Sequence, residues 1–201
     1  LSFLNLFKYI TVRSALAAVL ALLISFLLGP PMIEWVRRVK LGQKVREEGP
    51  QSHYVKAGTP TMGGLLMLTA IAVPVLLCGN FHNKQVWLAL GTTLWLGGLG
   101  FLDDWLRVVK KLPKGLLGRY KLVGQILFGV FLGLYLLYFP VDPRVIANST
   151  TLPFFKYVTL ILPPFIYLGF VTFVTAATSN AVNLTDGLDG LAAGLTVIAA
   201  G

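Results

Sequence analysis

The sequence predicts an all-α fold, a polytopic bundle of transmembrane helices, and three observations carry that reading. Charged residues make up 12% of the chain, roughly half of the ~25% found in soluble domains. Hydrophobic residues make up 56%, with a mean hydropathy of +0.76. Several apolar runs approach the ~20 residues a helix needs to cross a bilayer. All 201 residues read as one integral membrane domain with five full spans and the start of a sixth. The chain opens at Leu1 and stops at Gly201 inside a new apolar run, so it is expected to be part of a longer protein, truncated at the C-terminal end.

Taken in order, Leu1 to Tyr9 is short, apolar and aromatic and suits an interfacial helix. The first span runs from Ser14 to Ile33, with Pro30-Pro31 near its exit. Glu34 to Pro60 is a polar loop. The second span is Thr61 to Gly79, kinked at Pro74. A short turn leads to the third span, Gln85 to Leu102, and then to a basic loop, Asp103 to Tyr120. The fourth span is Lys121 to Phe139 and the fifth is Tyr157 to Thr178, with a kink expected at Pro163-Pro164. Ser179 to Gly190 is polar, and Leu191 begins the sixth span. Cys78 is the one cysteine, so no internal disulfide forms, and burial as a small apolar residue is its expected role.

Orientation follows from the positive charges. The two loops 34–60 and 103–121 hold 12 of the 17 Lys and Arg residues. The positive-inside rule places both in the cytoplasm and, by alternation of spans, places Ser179 to Gly190 there too. The stretches richest in polar chemistry therefore fall on one side. The net charge of +9 points to anionic headgroups and cytoplasmic loops before nucleic acid.

Three constellations stand out. Asp103 and Asp104 end the third apolar run and are followed by Arg107, Lys110 and Lys111. If the helix continues, Asp103, Arg107 and Lys110 fall on one face. Carboxylates beside cations at a membrane edge suit a divalent ion holding a phosphate, while the plainer alternative is a ladder of salt bridges that ends a helix. In the second, Asn180, Asn183, Asp186 and Asp189 recur every third residue. Steps of three drift by about 60° on a helix, so the four cannot share one face, and Gly187 and Gly190 suggest a break that lets them converge. Two amides and two carboxylates suit a cation, or a nucleobase and ribose. The alternative is a turn in which they act as caps. The third is the loop Gly49 to Gly64, rich in Gly, Pro and hydroxyls, which could meet an anion at a helix start. His53 has no second His or Cys placed to make it a metal ligand.

Together these segments resemble the polyprenyl-phosphate N-acetylhexosamine-1-phosphate transferases. The stretches GPQSHYVKAGTPTMGG and SNAVNLTDGLDGLAAG are long and specific. They are similar to the branch whose members transfer phospho-MurNAc-pentapeptide from UDP-MurNAc-pentapeptide to undecaprenyl phosphate, giving lipid I and UMP. The resemblance implies about ten spans, a homodimer, a Mg²⁺ requirement, and a bacterial inner-membrane enzyme of peptidoglycan synthesis working at its cytoplasmic face. It implies that Asp103, Asp104 and Asp186 lie at the metal, with one of the first two a base toward the lipid phosphate. Lys121, Asn183 and Asp186 are implied in the catalytic and nucleotide region, with Lys121 at a substrate phosphate. Asp189 is implied near the uridine, and Lys56, Thr61 and Asn180 at the substrate. The family's further metal-binding Asp and its His-rich loop lie beyond Gly201, so the 201 residues alone are expected to be incomplete as an enzyme.

Three rivals remain open. Transfer of N-acetylglucosamine-1-phosphate from UDP-GlcNAc to the same lipid is the nearest. A transporter predicts charges at mid-span, where this chain has few, and a non-catalytic scaffold is more distant still.

Overall fold

A chain in lipid must satisfy its backbone N–H and C=O groups internally, and a helix does so within one segment. The computed structural model describes residues 5, 7–38, 63–110, 112, 115–140, 146–152, 155–185 and 191–200. Among them are six helices and one two-stranded sheet. They fall into two compact units, Leu1–Leu117 and Gly118–Gly201.

The first unit holds α1 (Ile10–Arg38), α2 (Gly63–Cys78) and α3 (Lys84–Val108), with α1 packed on α2 and α2 on α3. Helix α1 is longer at both ends than the expected span and carries Pro30 and Pro31 inside it. Pro74 lies inside α2 and is fully buried. The turn before α3 is built by short polar side chains. Asn83 caps the helix by accepting the Gln85 N–H at 2.9 Å, and Trp87 donates from its indole to the Phe81 carbonyl at 3.0 Å. Helix α3 then runs six residues past Leu102, which puts Asp103 and Asp104 in its last two turns rather than beyond its end.

The second unit holds α4 (Gly118–Tyr138), β1 (Ser149–Leu152), β2 (Phe155–Ile161), α5 (Pro164–Thr185) and α6 (Leu191–Ala200). The strands pair antiparallel, Ser149 opposite Ile161 and Thr151 opposite Thr159. This corrects the expected fifth span. Residues 157–161 are strand, and the helix starts at Pro164 and continues to Thr185. A residue before proline disfavours helical backbone, and proline suits the first helical position, where no N–H is needed. Pro163-Pro164 therefore begins a helix, and the β-branched and aromatic residues before it pair as a hairpin. At 22 residues, α5 is about 33 Å long, enough to cross the hydrocarbon core.

Among the described residues, four helices are long and apolar enough to cross a membrane: α1 over Ile10–Trp35, α3, α4 and α5. Large apolar side chains point outward along them, among them Leu27, Leu127 and Phe173. Such surface opposes folding in water but is at home in lipid. Hydroxyls inside the helices are satisfied locally. Ser25, Thr92, Thr93, Thr172 and Thr175 each donate to the carbonyl four residues back, at 2.7–2.9 Å. The chain is a multi-pass, all-α membrane protein.

Candidate functional site

In the first unit Asp103 is tied to the returning chain. Asp103 follows the apolar face of α3, and its carboxylate is largely covered, with 14% of the side chain exposed. One Arg107 nitrogen, Nη2, lies 3.3 Å from Oδ2 and 3.4 Å from Oδ1. This is the salt bridge between residues four apart that the plainer reading anticipates. Arg107 is 40% exposed, so the pair contributes only about 0.3–0.5 kcal/mol.

The stronger contact comes from the returning chain. The Leu116 N–H donates to Asp103 Oδ1 at 2.8 Å, across 13 residues. Charge-assisted bonds of this kind contribute about 1.5–3 kcal/mol. Leu112 N–H to the Leu106 carbonyl and Gly115 N–H to the Leu112 carbonyl complete the turn. Gly115 makes the return possible. Its φ is +56°, and a Cβ there would run into Asp103 Oδ1. Lys110 falls beyond the end of α3, so the expected third member of one helical face is not on the helix. Lys111 lies outside the described residues. Adjacent helical residues are turned about 100° apart, so Asp104 leaves α3 in a different direction from Asp103.

In the second unit, α4 and α5 meet along a polar ladder. Lys121 Nζ donates to Asn183 Oδ1 at 2.7 Å. One turn along α4, Gln125 is completely buried. Its Nε2 donates to Ser179 Oγ at 2.9 Å, and its Oε1 accepts from Asn180 Nδ2 at 2.8 Å. Asn180 Nδ2 also donates to the Ala176 carbonyl at 2.9 Å. Further along the same seam the polar groups give way to glycine. A Cβ on Gly129 would lie 2.7 Å from Thr172 Cα, and one on Gly133 would lie 2.7 Å from Leu168 Cδ1. This is the small-residue spacing that lets membrane helices approach closely.

Of the residues singled out by sequence, the structure joins Lys121 to Asn183 and places Asn180 inside the helix pair with both amide hydrogens in use. Helix α5 carries both asparagines, so the segment from Ser179 is helical as far as Thr185. Lys56, Thr61, Asp186 and Asp189 lie outside the described residues. Among the described residues no three His, Cys, Asp or Glu side chains cluster as a metal site. Sequence reasoning missed Gln125, Ser179 as its partner, and Gly115. The available signal for Gln125 was a lone amide inside an apolar run, four residues after a lysine.

Known proteins resemble this chain along most of its length. Residues 86–201 match the family Glycosyl transferase family 4, which takes in all but the first two residues of α3 and the whole second unit. The chain therefore belongs to glycosyl transferase family 4. Residues 56–68 match phospho-N-acetylmuramoyl-pentapeptide-transferase signature 1, and Lys56 and Thr61 fall inside it. A relative from Gemmatimonas aurantiaca named phospho-N-acetylmuramoyl-pentapeptide-transferase is 50% identical over 97% of this chain and 53% of its own length. Relatives of the same name from Thermodesulfovibrio yellowstonii and Chlorobium chlorochromatii are each 45% identical, over 99% and 98% of this chain and 54% and 52% of their own lengths. The chain spans about half the length of these curated relatives.

Proposed function

We propose that the protein transfers phospho-MurNAc-pentapeptide from UDP-MurNAc-pentapeptide to undecaprenyl phosphate, releasing UMP and forming lipid I. The observation that carries this reading is the specific signature at residues 56–68, found in a chain 45–50% identical to relatives bearing that enzyme's name. In this reading the protein sits in a bacterial inner membrane as a homodimer, with the basic loops 34–60 and 103–121 at the cytoplasmic face.

Transfer between two phosphates requires charge neutralisation and alignment more than covalent chemistry by the protein. Mg²⁺ characteristically binds through one or two carboxylates plus substrate phosphates, and Asp103, Asp104 and Asp186 are the carboxylates proposed to supply its ligands. When bound, the ion would neutralise the pyrophosphate and ease departure of UMP. One of Asp103 and Asp104 acts as base toward the lipid phosphate; in Asp103, Oδ1 accepts from the Leu116 N–H and Oδ2 lies 3.3 Å from Arg107 Nη2. Lys121 supplies a positive charge to a substrate phosphate, with its ammonium aimed by Asn183. Asp189, Lys56 and Thr61 complete the substrate contacts, and Asn180, whose amide hydrogens are taken by Gln125 and the Ala176 carbonyl, would reach substrate only through its Oδ1.

The test is UMP release by the full-length protein from UDP-MurNAc-pentapeptide, undecaprenyl phosphate and Mg²⁺. Release that depends on all three supports the assignment. Release only when UDP-GlcNAc replaces the pentapeptide substrate would move the protein to another branch of its family. No release with either would refute both.

A further inference from the structure

We propose that Gln125 is a positioning residue that sets the rotation of α5 and thereby aims Asn183 at Lys121. The proposal rests on the functional reading above only where it assigns Lys121 and Asn183 to substrate. The geometric part stands on the ladder itself. A completely buried amide in a membrane helix is costly unless each of its groups is paired. Gln125 meets that condition through two different residues of α5, donating to Ser179 and accepting from Asn180.

Those bonds carry directional information that apolar packing lacks. A leucine at 125 would bury equally well against several rotations of α5. The Gln125 amide accepts one rotation, in which a hydroxyl and an amide from adjacent positions of α5 reach its two ends. Ser179 and Asn180 precede Asn183 by four and three residues, and Lys121 precedes Gln125 by four. The Lys121–Asn183 pair is therefore the next turn of the same seam, about 6 Å along the axis. Close approach at Gly129 and Gly133 fixes the separation of the two helices from the other side of Gln125. Separation alone leaves rotation free, and the polar pair removes that freedom. No step of the chemistry touches Gln125. It acts through Asn183.

Two readouts test this in the full-length protein. The first needs no turnover: the rate at which an amine-acylating reagent labels Lys121, followed by mass spectrometry. Gln125→Met keeps the side-chain length and removes both bonds. Labelling of Lys121 is expected to rise about threefold to tenfold, the equivalent of one or two interhelical hydrogen bonds. Ser179→Ala is the milder companion, removing one acceptor, and is expected to give a smaller rise should Gln125→Met prove poorly folded. Unchanged labelling in a folded variant would overturn the proposal.

The second readout is a double-mutant cycle on kcat/KM for UMP release. Gln125→Met is expected to lower kcat/KM about tenfold in the wild-type background and to add little to Asn183→Ala. An equal loss in both backgrounds would overturn the proposal by showing that Gln125 acts independently of Asn183. Absence of turnover in the wild type would refute the functional reading instead, and the labelling result would still decide the role of Gln125.

Discussion

Gly115→Ala should open the loop that closes over Asp103, and the size of the effect follows from two contacts. At φ +56° an L-residue is disfavoured by about 1–2 kcal/mol relative to glycine. The added Cβ also meets Asp103 Oδ1, with Arg107 Nε at 3.2 Å and the Asp103 carbonyl at 3.3 Å. The carboxylate cannot stay where it is, and the bond from the Leu116 N–H at 2.8 Å is lost or lengthened. Such a bond contributes about 1.5–3 kcal/mol. With partial relaxation of an exposed loop, a net cost of about 2 kcal/mol to the closed form is expected, or about thirtyfold in its opening equilibrium. Amide hydrogen exchange in the full-length protein measures this directly. Exchange at Leu116 should accelerate by about that factor while peptides from α3 stay protected. Asp103→Ala should match Gly115→Ala. Asp103→Asn keeps an acceptor oxygen and should accelerate exchange less. Exchange at Leu116 no faster in Gly115→Ala than in the wild type would refute the clasp, and Asp103 would then be left to its chemistry alone.

Other perturbations separate the remaining roles. Asp104→Asn should abolish UMP release while leaving exchange at Leu116 at the wild-type rate; accelerated exchange would put it in the loop's support instead. Gly129→Ala should destabilise the α4–α5 pair by about 1–3 kcal/mol, since its Cβ would sit 2.7 Å from Thr172 Cα, and thermal unfolding in detergent reads that loss. Lys121→Met should reduce kcat/KM for UMP release by at least tenfold with little change in thermal stability, as the Lys121–Asn183 bond is exposed. Chelation of divalent ions should stop UMP release and added Mg²⁺ restore it; release unaffected by chelation would remove the metal from the mechanism.

The helices were legible because long apolar runs leave the backbone no other way to satisfy itself in lipid. Their ends were less so. The expected third span stopped at Leu102, where apolarity ends, yet α3 continues for six residues, with Asp103 and Arg107 one turn apart adding only modest support. Hydropathy reports where lipid ends, not where hydrogen bonding ends. The Lys121–Asn183 pair shows the same limit. Both residues were identifiable as chemistry-bearing, but their 62-residue separation hides that they meet. Gln125 was harder still, because its partners become visible only when α4 and α5 are placed together.

The two double prolines make the point in the other direction. Pro30-Pro31 sits within α1, whereas Pro163-Pro164 starts α5. Proline chemistry is identical at both places, so the difference comes from what precedes each pair. Before Pro30 stand Leu27, Leu28 and Gly29, which continue a helix already three turns or more into lipid. There the lost N–H bonds are local defects, and abandoning the helix would strand many more backbone groups. Before Pro163 stand Tyr157 to Ile161, residues that favour extended backbone and have a Ser- and Thr-rich partner strand at hand. There the hairpin satisfies the backbone without a helix, and proline's preference for a first turn prevails. A proline pair in a membrane protein thus marks a kink or a boundary according to whether the preceding segment has another way to pair its backbone.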